Sequence, residues 1–559
     1  MHGSMTLSRG EARSGGIGGW LVPVLLFIAA ALLYAITLDD GLAQHDELYH
    51  LLAARGLVAT GEPSIAEGVY SRGYLYTWLV AQSFGLFGDS LGAARLPALL
   101  AMAATVALLF AWLRRHAGNG PAWLATVLFA ISPLVVVTAQ FARFYSLQTL
   151  AFLIACIAVQ AALLDPGPAW RRLGLAGLGL AALLLAAELQ STSLIGGIGL
   201  ALWVGLAVVL PWLLDPRSGS PARRAGLVLA GAALAALAVA GLWASGELAD
   251  LWYQYRWTPL FNAENSDRFW FYHQWLMLYY PSLWPLVGVL GLLAATRWPR
   301  PGLLAVAVTA TALLLSSFAG PKNLRYVAYV YPFLFVIWGL GLAAAWPWLR
   351  DLGRALVVRL GERLPPPLAG PLPGLLAGGA VLLLVLANPF WLRTGLVLAD
   401  VTIPPEEPNV RWSLARDELA PWVERAQVVV TATELETLYH LGRYDFLVSR
   451  SRLSELPAGR REEFARDFRT GRAVIGEAAS LERVIDCYDS GLFIATVQQW
   501  NRGIQFDASA RMLVERRLEP LSLPRGSQLV AYTWERPSPA ERPADCTAVD
   551  AARPQPAAP

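Results

Sequence analysis

WLVPVLLFIAAALLYAITL, residues 20–38, runs without a charge and is followed almost at once by HDELYH, residues 45–50. The first stretch is long enough to cross a bilayer, so Asp46 and Glu47 of the second fall just beyond a membrane face. Two carboxylates there suit catalysis at the membrane surface, by taking a proton from an acceptor hydroxyl or by binding a metal. They also suit a plainer role, because acids in a first helical turn satisfy free amides and complement the helix dipole.

Composition extends the membrane reading to the whole chain. Of 559 residues, 56% are hydrophobic and 15% charged, and the mean hydropathy of +0.46 is that of a polytopic membrane protein. The net charge of +3 is spread along the chain with no basic stripe, which argues against nucleic acid as a partner. Apolar runs of span length, among them 96–113, 121–139, 275–296 and 375–392, predict about eleven transmembrane helices. Arginine pairs such as Arg114 with Arg115 and Arg171 with Arg172 fall in alternate connections, as the excess of cations on the cytoplasmic side requires. Residues 1–19 are then cytoplasmic and 20–398 form the transmembrane domain, with a long first external loop at 39–95. The first span has no small-residue cleavage site after it and is expected to stay as an anchor. An odd number of spans leaves the C-terminal part outside, as expected of a multi-pass protein of the inner (plasma) membrane.

Beyond residue 399 the pattern changes. Short apolar runs such as AQVVVTA (426–432), YDFLVS (444–449), RAVIG (472–476) and LFIATVQQW (492–500) alternate with amphipathic stretches, so 399–535 reads as an extracytoplasmic α/β domain. It carries no glycine-rich phosphate loop, so the fold class gives no licence for nucleotide binding. Residues 536–559, rich in Pro and Ala, are expected to be disordered. Cys487 and Cys546 both lie on the oxidising side, and whether they pair is open.

Polar side chains recur at the outer ends of spans: His50, Arg143, Tyr145 and Glu188 early in the chain, then Arg268, Lys322, Arg325 and Tyr326. A charge beside hydrocarbon needs a counter-charge or a polar cavity, so these residues are expected to converge on one. Lys322 is the only lysine, and an ammonium kept in an arginine-rich chain suits contact with a phosphate.

The order HDELYH, FGDSLGAARLPALL (87–100), FARFYSLQTL (141–150) and KNLRYVAYVYP (322–332) resembles the polytopic GT-C glycosyltransferases, and within them family 39 with its RgtA/B/C/D-like and ArnT-like bacterial members. The likeness covers roughly residues 20–345. It implies a catalytic acid in the first loop, here Asp46 with Glu47 beside it, a polyprenyl-phosphate sugar donor and inversion at the anomeric carbon. A lipid, glycan or protein would be the acceptor. Where many relatives have a second acid, this chain has Arg143 and Tyr145, and the W-W-D-Y-G signature of the oligosaccharyltransferase branch is absent.

The chemistry stands without the family name. Sugar transfer from a lipid phosphate needs a base for the acceptor and cations for the leaving phosphate, which Asp46 and the arginines could supply with no metal or other cofactor. HDELYH could also hold a metal: His45 and His50, five apart, point to different helix faces, whereas Asp46 and His50, four apart, share one. The competing reading is a transporter or flippase of lipid-linked sugars, in which the acids couple to ions.

Overall fold

The computed structural model describes residues 18–39, 42–218, 220–258, 260–360, 370–401, 410–536, 543 and 546–554. Seven helices lead from the first span to the site: α1 Gly18–Ala35, α2 His45–Thr60, α3 Tyr74–Phe87, α4 Leu91–Ala117, α5 Asn119–Ala130, α6 Pro133–Ala139 and α7 Tyr145–Leu164. A hairpin of β1 (Ser64–Ile65) and β2 (Gly68–Val69) lies between α2 and α3.

Among the described residues six helices are long and apolar enough to cross a membrane, or eight if two bent pairs each count as one span. The expected eleven are not confirmed by this count; the runs at 20–38 and 225–244 form the helices Gly18–Ala35 and Pro221–Ala244 outside it, and prolines mark the breaks within three others. The run 121–139 bends by 62° between α5 and α6, where Pro133 begins the second helix, and the run at 375–392 bends by 55° between Leu372–Leu386 and Phe390–Leu398, beside Pro389. The run 275–296 breaks into Phe271–Tyr279 and Val287–Arg297 around Pro281 and Pro285. Proline lacks an amide donor and clashes with the preceding turn, so a continuous apolar run does not guarantee a continuous helix. The most enclosed helical segment, Leu324–Arg359, has 89% of its apolar window buried and packs against α5, α7 and Val287–Arg297.

The C-terminal domain, called outer after its expected side of the membrane, is a seven-stranded sheet in the order β5-β6-β4-β3-β7-β9-β8. In chain order its strands are β3 Val428–Thr431, β4 Phe446–Val448, β5 Ala465–Arg466, β6 Ala473–Ile475, β7 Ser490–Thr496, β8 Glu519–Leu521 and β9 Leu529–Glu535. β6, β4, β3 and β7 are parallel, and helices cover both faces over two separate hydrophobic cores. The described residues from 410 to 536 thus form an α/β unit, three-layered and doubly wound.

The expected disorder of 536–559 needs correction at its described part. Cys546 forms a disulfide with Cys487, their Cα atoms 5.5 Å apart, and the helix Cys546–Ala552 buries Val549 and Ala552 in the core. A cross-link and two apolar anchors hold a segment whose composition reads as disordered. Residues 537–542, 544–545 and 555–559 lie outside the described residues, as do residues 1–17 of the expected cytoplasmic N-terminus.

This domain is fastened to the first external loop. Leu435 is buried with Leu48, Tyr49, Ala53, Ile65 and Tyr70, a contact whose burial is worth about 1.5–3 kcal/mol. Arg452 donates to the Tyr49 hydroxyl at 2.6 Å, and Arg472 pairs with Glu67 at 2.9 Å. The Glu67 amide donates to the Thr470 carbonyl at 3.1 Å, and the backbone approach is close enough that a Cβ on Gly471 would fall 2.7 Å from the Glu67 carbonyl carbon. Gly471 also has φ +72°, so two independent constraints require glycine there.

Candidate functional site

The start of α2 sets the site. Gln44 precedes the helix in an extended conformation, and its amide donates to Glu47 Oε2 at 2.9 Å, so Glu47 caps the turn as its place three residues on allows. Arg95 of α4 grips the same carboxylate through Nε and Nη2, both at 2.8 Å, and the Ala142 amide donates to it at 2.7 Å. Glu47 is fully buried and Arg95 nearly so, and Arg95 also donates to the Leu38 and Leu42 carbonyls. The pair therefore ties together the end of the first span, the start of α2, α4 and the turn before α7.

Asp46 faces the other way, with 26% of its side chain exposed, and its carboxylate is ion-paired with the Arg325 guanidinium. Arg143 donates to the Asp46 carbonyl at 2.9 Å and to the Tyr70 hydroxyl at 3.0 Å. Arg72, which the sequence reading did not single out, donates to Gln190 at 2.6 Å and lies with Arg143 over the Phe144 ring. Gly73 has φ +61°, and a Cβ on it would lie 2.6 Å from that ring, so glycine lets the Arg72 loop close on Phe144. Arg325 lies over the rings of Phe141 and Tyr145 at 5.4 and 5.9 Å, which orient a guanidinium without consuming its hydrogen-bond donors. Burial alone would raise the Asp46 carboxyl, but Arg325, Arg143, His45 and Arg72 outweigh it and hold the group well below the usual carboxylate range.

The other expected residues divide. Tyr145 is buried with its ring 6.4 Å from that of half-buried Tyr326, and both belong to the wall beside Arg325. His50 does not turn to Asp46 as a shared metal ligand would; it is buried, bonds Thr77 at 2.8 Å and packs edge-on against Tyr70, Tyr76 and Phe144. Lys322 gives its ammonium to the Ser266 and Ala319 carbonyls at 2.7 and 2.6 Å, and so fastens the later external loop. Burial holds that ammonium below its usual range, with Asp267 and Arg256 acting in opposite directions. Exposed Arg268 donates to Asn265 at 3.3 Å in the same loop, and Glu188 is exposed two residues before Gln190. The structure thus gathers Arg143, Tyr145, Arg325 and Tyr326 around Asp46, adds Arg72, and uses Lys322 and Arg268 within their own loop.

His45 closes the rim toward the outer domain. It donates to Glu436 at 2.9 Å; burial would lower its ring, but Glu436, Glu434 and Asp46 push it up to about 9. Among the described residues no three His, Cys, Asp or Glu side chains gather as a metal site would require. The buried acids among them, Glu47, Asp165, Glu434, Asp445 and Asp467, lie at helix starts and ends or in the outer domain, which gives the ion-coupled transporter reading no support.

The chain is thus a bundle of span-length apolar helices whose first long loop carries a carboxylate among arginines, capped by an α/β domain. The family described as dolichyl-phosphate-mannose-protein mannosyltransferase matches residues 71–214. Among solved structures, ArnT from Cupriavidus metallidurans bound to undecaprenyl phosphate is 15% identical, with a TM-score of 0.56 over 93% of this chain and 98% of that one. The archaeal oligosaccharyltransferase AglB from Archaeoglobus fulgidus, in complex with an inhibitory peptide and a dolichol-phosphate, is 13% identical, with a TM-score of 0.56 over 94% of this chain and 75% of that one. No curated protein matches the chain in sequence. At these identities the structural likeness is one of fold, and with the family match it supports a polytopic glycosyltransferase of the GT-C superfamily.

Proposed function

We propose that the protein transfers a sugar from a polyprenyl-phosphate donor to an acceptor hydroxyl at the outer face of the plasma membrane, with inversion. The observation that carries this reading is Asp46 held among Arg325, Arg143 and Arg72, one carboxylate against three guanidinium groups. The excess of positive charge suits a lipid phosphate, which gains a negative charge as it leaves. ArnT and AglB were solved with undecaprenyl phosphate and a dolichol-phosphate, and a lipid phosphate of that kind is the donor group inferred here.

In the proposed step the bond between the anomeric carbon and the phosphate oxygen breaks, the acceptor oxygen attacks from the opposite side, and its proton passes to Asp46. A single displacement inverts the carbon. Asp46 paired with Arg325 is a weak base, because its proton affinity is depressed. Donor phosphate competing for Arg325 would loosen that pair and return the carboxylate toward its ordinary basicity, so the base is released when the donor is in place. Glu47, whose carboxylate is already shared among Arg95 and two amides, acts in this reading as a positioning residue. The arginines take the electrostatic role a divalent metal would otherwise fill, so the reaction is proposed to need none.

Incubating the purified protein in lipid nanodiscs with a panel of polyprenyl-phosphate sugars tests this directly. Release of free polyprenyl phosphate from at least one donor, dependent on acceptor and unaffected by chelator, is the expected result. No release from any donor would overturn the reading.

A further inference from the structure

The outer domain contains a crevice that the transfer step does not use. From β3 the chain moves to β4 and β6 on one side, then returns to β7 on the other, so β3 and β7 are neighbours whose connections depart in opposite directions. In open α/β sheets ligands bind outside the carboxyl ends of strands at such a reversal. Here that place is a cavity of about 780 Å³, within the range of small-ligand sites.

Its walls come from three parts of the molecule. Thr433 follows β3, Thr496 ends β7, and Gln498 and Gln499 begin the next helix; the membrane side contributes Gln140 and Phe141. The lining reaches His45, one residue short of Asp46. Gln499 bridges the two strand ends, donating to the Ala432 carbonyl at 2.8 Å and accepting from the Thr496 amide at 3.0 Å, so the crevice is braced open at its floor. Trp412 also lines it, 2% exposed, and its indole N–H has no acceptor among the described residues. A buried N–H without a partner is costly, and a ligand oxygen would satisfy it.

The chemistry of the lining selects the ligand. Among its charges His45 is matched by Glu436 and Arg95 by Glu47, while Asp400 and Arg502 add one of each sign; five glutamines, three threonines and the rings of Phe141 and Trp412 stand among aliphatic side chains. Carboxamides both donate and accept, as a sugar hydroxyl does, and aromatic faces offer apolar area to a sugar ring. We propose that this crevice is a carbohydrate site that holds a neutral glycan of the acceptor, with its reactive end directed past His45 toward Asp46. Calling that glycan the acceptor rests on the proposed transferase function; the binding of a sugar does not.

Full-length protein in nanodiscs is titrated with methyl glycosides and neutral disaccharides of gluco, manno, galacto and arabino configuration, read by saturation-transfer NMR and tryptophan fluorescence. At least one should bind saturably, and Trp412→Phe, which keeps the ring and removes the N–H, should weaken it by about tenfold, as should Gln498→Ala. Arg268→Ala, in the later loop and outside the lining, should leave sugar affinity within about twofold. The melting temperature of each variant separates lost binding from lost folding, and Gln498→Ala carries the test if Trp412→Phe unfolds. No saturable sugar binding, binding indifferent to the folded variants, or occupation by a neutral peptide in place of sugar would each overturn the proposal. Because binding is read without turnover, its failure is distinct from failure of the transferase reading, which shows as no polyprenyl phosphate released from any donor.

Discussion

On one side of the first turn of α2, Glu47 is closed in by Arg95 and two backbone amides, and every oxygen position that a carboxylate offers is taken. On the other side Asp46, one residue earlier, keeps a quarter of its side chain exposed and among the described residues accepts only from Arg325. Adjacent acids of the same charge thus face different physics. A saturated, buried carboxylate contributes to structure and has nothing left for a substrate, whereas a carboxylate with free lone pairs beside several cations can exchange partners. What separates their roles is the number of oxygen positions left open.

The contrast is broken most forcefully at Glu47. Glu47→Ala leaves Arg95 buried without its partner, and losing one member of a buried pair costs about 3–5 kcal/mol, so the variant should melt far below the parent in detergent. A Glu47→Ala protein with parental stability and no activity would reverse the assignment. Next in size, Arg325→Ala should weaken donor binding by about 1.5–3 kcal/mol, the scale for hydrogen bonds to charged groups, while Lys322→Ala should leave it unchanged because that ammonium serves two carbonyls of its own loop. Equal effects in a lipid-phosphate binding assay would erase the distinction between the two cations.

Smaller effects sharpen the picture through pH. His45 is raised to about 9, so its bond to Glu436 is complete below its unfolded value of about 6.5 and is lost as pH rises through about 9. Hydrogen exchange at the start of α2 should quicken across that window, and His45→Gln should flatten the response. With 43% of the His45 side chain exposed the effect is modest and should shrink in salt. Asp46 is depressed, so the free enzyme should show no acid limb in kcat/KM down to about pH 4. An acid limb near neutrality that disappears in Asp46→Asn would contradict the depression.

How much of this the sequence carried can be traced residue by residue. HDELYH placed both acids at the membrane face, and FARFYSLQTL and KNLRYVAYVYP supplied Arg143, Tyr145 and Arg325. The division between Asp46 and Glu47 was not readable, because it depends on Arg95 of α4 and the Ala142 amide, both remote in the chain. Arg72 was missed since SRG, residues 71–73, reads as an ordinary turn; the signal was Gly73, whose conformation and lack of a Cβ admit Phe144. Lys322 drew attention by rarity, yet rarity does not say where an ammonium points. Counting apolar runs missed the breaks within three of them, because it treats Pro133, Pro281 and Pro389 as merely apolar. The α/β pattern of the outer domain was legible, but strand order, and with it the crevice between β3 and β7, arises only from pairing.

The central claim is that Asp46 carries the proton while its neighbour carries the frame. Single-turnover transfer by Asp46→Asn, with donor affinity measured on the same sample, tests it most directly. The substitution keeps the size of the side chain and frees Arg325 from its ion pair. Transfer should fall by at least about a hundredfold, the scale for losing a general base, while the lipid phosphate binds as tightly as before or more so. Near-parental transfer, or a loss explained by weaker donor binding alone, would contradict the account.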